Sequence, residues 1–387
     1  MRYAFKQFVI TPLKPVKQAG HIQQVDPVSE VHDDLHARIA ILDDGTQIYV
    51  HVSCDLLGIR YDFEKEVAAR VADKFDKPFN LTVSCTHTHY AGDTTNEEYY
   101  NQLLEQIPEF IKSMELTETD KISVSYNVVP FDQLGRSRIS HYTATVLLGL
   151  IRLYDGNDKE IAQFTFHNVH PTVLSASETH FFSAEWPGYV LKTLSDKHPG
   201  IFFTYLQGCS GDISTRFTRD GQNYEAIVKL GDKLVNKIEE LRNEPVEKKP
   251  LKLDYAEEMI KCEHEFNEIN FDEIPDYATP RELETIGYGK IVRARLKDQP
   301  EKWTKQVLIS KISLGPVTLV FSPNELFSKY LTYVDLSKAL VVCYSNGYSP
   351  YVTPIDEKLL TYETFTDTLT KETKQKIIDV IKKFGNN

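Results

Sequence analysis

Five apolar runs in this chain stop abruptly at a cluster of polar or ionisable groups, and that pattern restricts the fold more than any other feature of the sequence. The first run, Phe79-Asn80-Leu81-Thr82-Val83-Ser84-Cys85, reads as a buried strand and ends in Thr86-His87-Thr88-His89. Residues two apart on a strand point to the same face, so His87 and His89 are expected to aim their imidazoles into one pocket. The run Ile161 to His167 leads into His170-Pro171, and Ile201 to Leu206 leads into Gln207-Gly208-Cys209-Ser210-Gly211-Asp212 and on to Ser214. Val317 to Phe321 is followed by Glu325, and Ala339 to Tyr344 by Asn346-Gly347-Tyr348-Ser349-Pro350-Tyr351. If these strands share one layered core, their loops share a rim.

Helical periods alternate with the strand-like ones at Tyr61 to Phe75, Asn96 to Met114, Tyr224 to Arg242 and Lys371 to Phe384. The alternation predicts an α/β (mixed α+β) fold of layered mixed β-sheets flanked by helices, with the active site at strand ends. Hairpins are expected across Tyr154-Asp155-Gly156-Asn157-Asp158-Lys159 and around Gly315-Pro316, and a helix is expected to open after Ser322-Pro323-Asn324-Glu325. Between Pro245 and Trp303 the sequence becomes charged and loses periodicity, which reads as a solvated insertion or flap at about 245–303 in a single domain spanning 1–387.

Composition excludes several function classes. The chain has 387 residues, 41% of them hydrophobic, enough for a large core. Its 44 basic against 56 acidic residues leave a net charge of −12, which disfavours nucleic acid and anionic membranes as partners. The start, Met1-Arg2-Tyr3-Ala4-Phe5-Lys6-Gln7, lacks the apolar core of a secretory signal, and no segment approaches the ~20 apolar residues of a membrane span, so a cytoplasmic location is expected. The five cysteines are odd in number, widely spread and without a Cys-x-x-Cys pair, so reduced, mostly buried thiols are expected.

Two histidines at one strand end form half of a plausible zinc site, and a His, His, carboxylate set with an open position would complete a hydrolytic one. Taken singly, His170 also reads as a strand-end cap, Glu325 as a first-turn carboxylate and Tyr351 as a half-buried aromatic. Gly208 to Ser214 reads either as a backbone nest for an anion or as the setting of a nucleophilic serine. His32, His36, His51, His141, His167 and His180 are read as structural or surface histidines.

Several of these motifs occur in the order found in a known family. Thr86-His87-Thr88-His89, Gly135-Arg136-Ser137, His170-Pro171, Trp186-Pro187-Gly188-Tyr189, Gly211-Asp212-Ile213-Ser214, Pro323-Asn324-Glu325, Asn346-Gly347-Tyr348-Ser349-Pro350-Tyr351 and Tyr362-Glu363 are collinear over most of the chain. In this respect the chain resembles the neutral ceramidases, zinc amidases that split the N-acyl bond of ceramide, and looks like a short bacterial member without the C-terminal β-sandwich domain. The resemblance implies one Zn2+ per chain, held by His87, His170, Glu325 and Tyr351. It implies His89 beside the metal's water as proton carrier, Arg136 and Tyr362 on the substrate carbonyl and its oxyanion, and Ser214 as the serine of a catalytic motif. The implied activity is hydrolysis of an N-acyl amide, with a lipid amide or a smaller N-acyl compound as substrate, through attack by a water on the metal. The chain departs from the family pattern at Tyr90-Ala91-Gly92-Asp93, where relatives carry Ser-Gly-Pro. That departure keeps a non-catalytic metal- or ligand-binding homologue in view, and acyl transfer through Ser214, with a metal serving only structure, is a separate alternative.

Overall fold

A computed structural model describes residues 1–21, 26–139, 143–175, 180–265, 280–296, 299–355 and 361–386. Three mixed sheets organise it. In the first, Phe79–Cys85 lies at one edge, followed by Ile48–Cys54, His36–Asp43, Arg2–Val9 and the short Thr117–Glu118. The second runs from Phe202–Gln207 at its edge through Glu160–His167, Leu147–Tyr154 and Ser123–Pro130 to Lys248–Pro250. The third is ordered Leu253–Glu265, Lys302–Leu314, Thr318–Phe321 and Ala339–Val342.

His36–Asp43, Ile48–Cys54, Leu147–Tyr154 and Glu160–His167 are buried along nearly their whole length, which requires cover on both sheet faces. The inner faces of the first two sheets cover each other. Phe5 stacks on Phe202 with ring centroids 5.3 Å apart, His51 on Phe164 at 5.9 Å, and Ser53 Oγ donates to the Tyr205 carbonyl at 2.8 Å. Helices form the outer layers. Glu97–Ser113 buries Leu103, Ile107 and Ile111 at intervals of four, and Asn96 caps it by accepting the Tyr99 N–H. On the second sheet, Glu185–Lys197 and Tyr224–Arg242 pack together, the latter burying Ile227, Leu230, Leu234 and Ile238. Lys371–Gly385 backs the third sheet.

Each sheet ends in a parallel pair: Phe79–Cys85 beside Ile48–Cys54, Phe202–Gln207 beside Glu160–His167, and Ala339–Val342 beside Thr318–Phe321. The outer strand of each pair is an edge with unpaired backbone groups, and the three edges meet. The stretch following Ala339–Val342 hydrogen-bonds to both others. Cys343 N donates to Gln207 O at 2.8 Å, Cys85 N to Tyr344 O at 3.0 Å, and Asn346 N to Val83 O at 2.8 Å. To reach both sides this stretch takes left-handed backbone at Tyr344 and Asn346. The C-terminal ends of the parallel strands therefore open onto one place, the position where α/β sheets bind ligands.

Both expected hairpins form, Asp155 Oδ1 accepting the N–H of Asn157 and of Lys159 in the first and Gly315 adopting φ +97° in the second. Two expectations change. No helix opens at Asn324-Glu325: Asn324–Leu326 is a strand paired in parallel with Ser349–Val352, and a 3₁₀ turn over Ser328–Tyr333 follows. The charged stretch from 245 contributes Leu253–Glu265, an edge strand paired with Lys302–Leu314 over thirteen residues, and the helix Pro280–Arg295. With one side solvated, that strand buries Leu253, Ile260 and Cys262 and turns charged residues outward, which hides its period. All five cysteines are free and buried. Of the histidines read as structural, His51 and His167 are fully buried, while His141 lies outside the described residues.

Burial of neutral imidazoles makes stability fall in acid. His51 is pushed down to about 3 and His167 to about 4 by desolvation, whereas an unfolded imidazole titrates near about 6.5. As pH falls below about 6.5 the unfolded chain takes up protons that the folded chain refuses, so each group removes up to about 1.4 kcal/mol per pH unit until its folded pKa is reached. Urea unfolding of metal-free protein between pH 6.5 and 4.5 should therefore show a pH slope about 1.4 kcal/mol per unit shallower in His51→Gln than in the wild type; identical slopes would refute this account.

Candidate metal centre

The strand Phe79–Cys85 stops before the histidines. Thr86 N bonds back to Cys54 O at 2.9 Å and His87 N to Leu56 O at 2.8 Å, and His87 then turns left-handed, at φ +66°. His87 and His89 do converge, their rings 5.0 Å apart and nearly perpendicular, but this local turn brings them together rather than strand alternation. The buried His87 Nδ1 lies 2.8 Å from Leu57 O, and its ring stacks on Tyr344 at 3.7 Å. His170 is held in the same manner, with Nδ1 2.6 Å from Ser210 O and 3.1 Å from Ile213 O. Trp186 Nε1 donates to the His170 carbonyl at 3.3 Å, and Glu185 accepts the N–H groups of Val173 and Leu174, so the start of the helix Glu185–Lys197 anchors this loop.

Carbonyl oxygens only accept, so both Nδ1 atoms carry the hydrogen and both Nε2 atoms present lone pairs. Those lone pairs face a third acceptor. Glu325 Oε2 lies 3.5 Å from His87 Nε2 and 3.4 Å from His170 Nε2, and none of the three atoms has a hydrogen-bond partner among the described residues. A charged N–H···O bond would be about 2.7–2.9 Å long, so these are not ordinary ion pairs. Ligands about 2.1 Å from a tetrahedral zinc lie about 3.4 Å apart, so the spacing fits a shared cation. The donor set, two imidazoles and a carboxylate, also suits that ion. Burial by itself would raise the Glu325 carboxyl; positive charge carried by the His87 and His170 rings would outweigh it and hold the group well below the usual carboxylate range, a task that a shared cation takes over when the rings are neutral. Glu325 Oε1 accepts a hydrogen bond from the Tyr348 hydroxyl.

Around these atoms stand His89 and Tyr351. The nitrogens of His87, His89 and His170 all lie within 4.8 Å of one another, close enough to hold a metal ion. Burial, with His87, His170 and His21 nearby, keeps the His89 imidazole well below its ordinary pKa. Glu325 and Tyr351 are in register on adjacent parallel strands and so project to the same face. The Tyr351 oxygen accepts from Arg138 Nη2 at 3.0 Å, and its ring meets Tyr362 edge-on at 5.9 Å.

Solved structures with this architecture exist. Neutral ceramidase from Pseudomonas aeruginosa and a ceramidase complexed with C2 each superpose with a TM-score of 0.78 at 15% identity, covering 99% of this chain and 74% of theirs. The chain has the neutral ceramidase fold. No protein-family model and no curated protein sequence matches it.

Within this ceramidase fold the residues expected from sequence separate into those that converge and those that do not. His87, His170 and Glu325 meet, with His89, Tyr351 and Tyr362 beside them. Arg136 is exposed and lies opposite Ser214 in a two-residue ladder, whereas Arg138, two positions on, points inward. Ser214 Oγ accepts the Arg216 N–H at 3.1 Å, which caps a short 3₁₀ turn. The Gly-Asp-Ile-Ser segment works mainly through its backbone. Ser210 and Ile213 lend their carbonyls to His170, and Gly211 O accepts from Arg138 at 2.6 Å. Asp212 receives both the N–H and the hydroxyl of Ser328, at 2.6 and 2.9 Å.

Sequence reasoning passed over Arg138, Tyr344, Tyr348 and His21, whose ring stands 6.1 Å from that of His89. The signal for His21 was Gly20 before it: at φ +81°, a Cβ there would sit 2.5 Å from His89 Nδ1.

Gly211 lies against the strand of Glu325, where a Cβ would fall 2.9 Å from Leu326 O and 3.0 Å from Glu325 O. Since those contacts are backbone, Gly211→Ala should cost about 1–3 kcal/mol of stability and displace the Glu325 strand. Thermal unfolding together with zinc titration tests this, and a variant matching the wild type in both would contradict it.

Proposed function

We propose that this chain is a zinc-dependent amidohydrolase that splits the N-acyl bond of a lipid amide, ceramide or a relative of it. The observation that carries the reading is the set of three facing acceptor atoms on His87, His170 and Glu325, which a divalent cation would reconcile. The likeness to neutral ceramidase supports the choice of bond. In this reading Tyr351 completes the ligand set. Zinc bound there would supply a Lewis acid and bring the pKa of a coordinated water down toward about 7.

The remaining steps belong to the chain's own residues. His89, with Nε2 unpartnered among the described residues, takes the proton of the attacking water and returns it to the departing nitrogen. Tyr362, pushed up to about 12 by burial and by Glu325, stays protonated at neutral pH and donates to the oxyanion as it develops. Arg136, exposed beside Ser214, is assigned to the substrate at the rim. We assign Ser214 its capping task rather than nucleophilic attack: a serine nucleophile needs a base on its hydroxyl hydrogen, and the contact this oxygen makes among the described residues is with the Arg216 N–H.

Chelation should abolish release of fatty acid from an N-acylsphingosine, and added zinc should restore it; full activity after complete metal removal would end this reading. The roles of the histidines separate by metal content. His170→Gln should lose both zinc and activity, while His89→Gln should retain one zinc per chain by elemental analysis and lose about 100-fold or more in kcat. Zinc loss from the latter would make His89 a ligand instead.

A further inference from the structure

Arg138 donates from Nη2 to two acceptors, Gly211 O at 2.6 Å and the Tyr351 oxygen at 3.0 Å, and its Nε lies 2.6 Å from Glu363 Oε1. Its guanidinium also sits 5.5 Å from the centre of the Tyr351 ring. Glu363 is buried and directly follows Tyr362 at the start of the helix Tyr362–Thr366, whose first turn is closed by a Thr361–Thr364 capping box. One side chain thus ties together the loop of residues 136–138, the Gly-Asp-Ile-Ser segment, the strand of Tyr351 and the helix of Tyr362.

A guanidinium is a planar donor with no acceptor atom, so at this contact the phenol oxygen of Tyr351 must be the acceptor. Hydrogen-bonded from one side, that oxygen is restrained in position and in the direction of its remaining lone pair. The nearby Glu363 carboxylate balances the cation, so a positive charge can stand beside a metal site without opposing the ion. Arg136, by contrast, is exposed.

We infer that Arg138, seated by Glu363, is a positioning residue that holds the Tyr351 oxygen toward the metal centre. The inference rests on the reading of Tyr351 as a ligand. Groups that orient ligands from behind are typically worth about 10–100-fold in metal affinity. A lysine is a poor replacement for Arg138, because its ammonium is a single point charge without the planar group that meets Gly211 O and the Tyr351 oxygen through Nη2 while Nε faces Glu363.

The test is zinc affinity of the full chain, measured by competition with a chromophoric chelator. The variants are Arg138→Lys, the charge-neutral pair Arg138→Gln/Glu363→Gln, Tyr351→Phe, and Tyr351→Phe combined with Arg138→Lys. Metal-free circular dichroism and thermal unfolding verify that each variant folds. Arg138→Lys and the charge-neutral pair should each bind zinc about 10–100-fold more weakly. Adding Arg138→Lys to Tyr351→Phe should cost nothing further, because Arg138 acts through that oxygen. Wild-type affinity in both Arg138 variants, with Tyr351→Phe weakened, would overturn the inference and leave the metal site standing. So would losses that multiply in the combined variant. Wild-type affinity in Tyr351→Phe, with zinc lost from His170→Gln, removes Tyr351 from the ligand set and the inference with it. Absence of stoichiometric zinc from the wild type would instead bring down the proposed function itself.

Discussion

The backbone of residues 342–346 is the hinge on which the architecture turns. It is hydrogen-bonded on one side to the end of Phe202–Gln207 and on the other to the end of Phe79–Cys85. Without it, three sheets would each expose an edge of unsatisfied peptide groups, and a buried unpaired peptide group is costly. By satisfying those edges against one another, the chain brings the ends of three parallel pairs together. The candidate metal centre is the geometric result, since its side chains are the first polar groups beyond those ends.

Two kinds of restraint then act on the same few atoms. Backbone carbonyls of Leu57, Ser210 and Ile213 select the tautomer of each imidazole, and Tyr348 engages the outer oxygen of Glu325. What remains is a set of buried lone pairs pointed at one another. Such an arrangement is unfavourable by itself and becomes favourable around a cation. The Gly-Asp-Ile-Ser segment belongs to this restraint: its carbonyls, its missing side chain at Gly211 and its Asp212 carboxylate hold His170, the Glu325 strand and Ser328 in register.

Much of this was legible in the residues. Buried strands leave continuous apolar runs, and amphipathic helices such as Tyr224–Arg242 leave their period, so the α/β layering could be read directly. The same locality explains the failures. Asn324-Glu325 carries the composition of a helix start, but pairing with Ser349–Val352 makes it a strand. Leu253–Glu265 looked like a solvated insertion because an edge strand with one wet face keeps few apolar residues. Arg136 and Arg138 lie two positions apart in one short segment, and nothing in the local sequence distinguishes the one that enters the site.

By itself the sequence determined the class of fold, the list of strand ends and the chemical types waiting there: imidazole, carboxylate, phenol and guanidinium. These depend on composition and on short periods, which neighbours along the chain settle. Only the tertiary structure decided that His87, His170 and Glu325 face one another, that Arg138 holds Tyr351, and that Ser214 caps a turn. Those outcomes depend on hydrogen bonds between residues separated by scores of positions, whose partners exist only after the three edges have closed on each other.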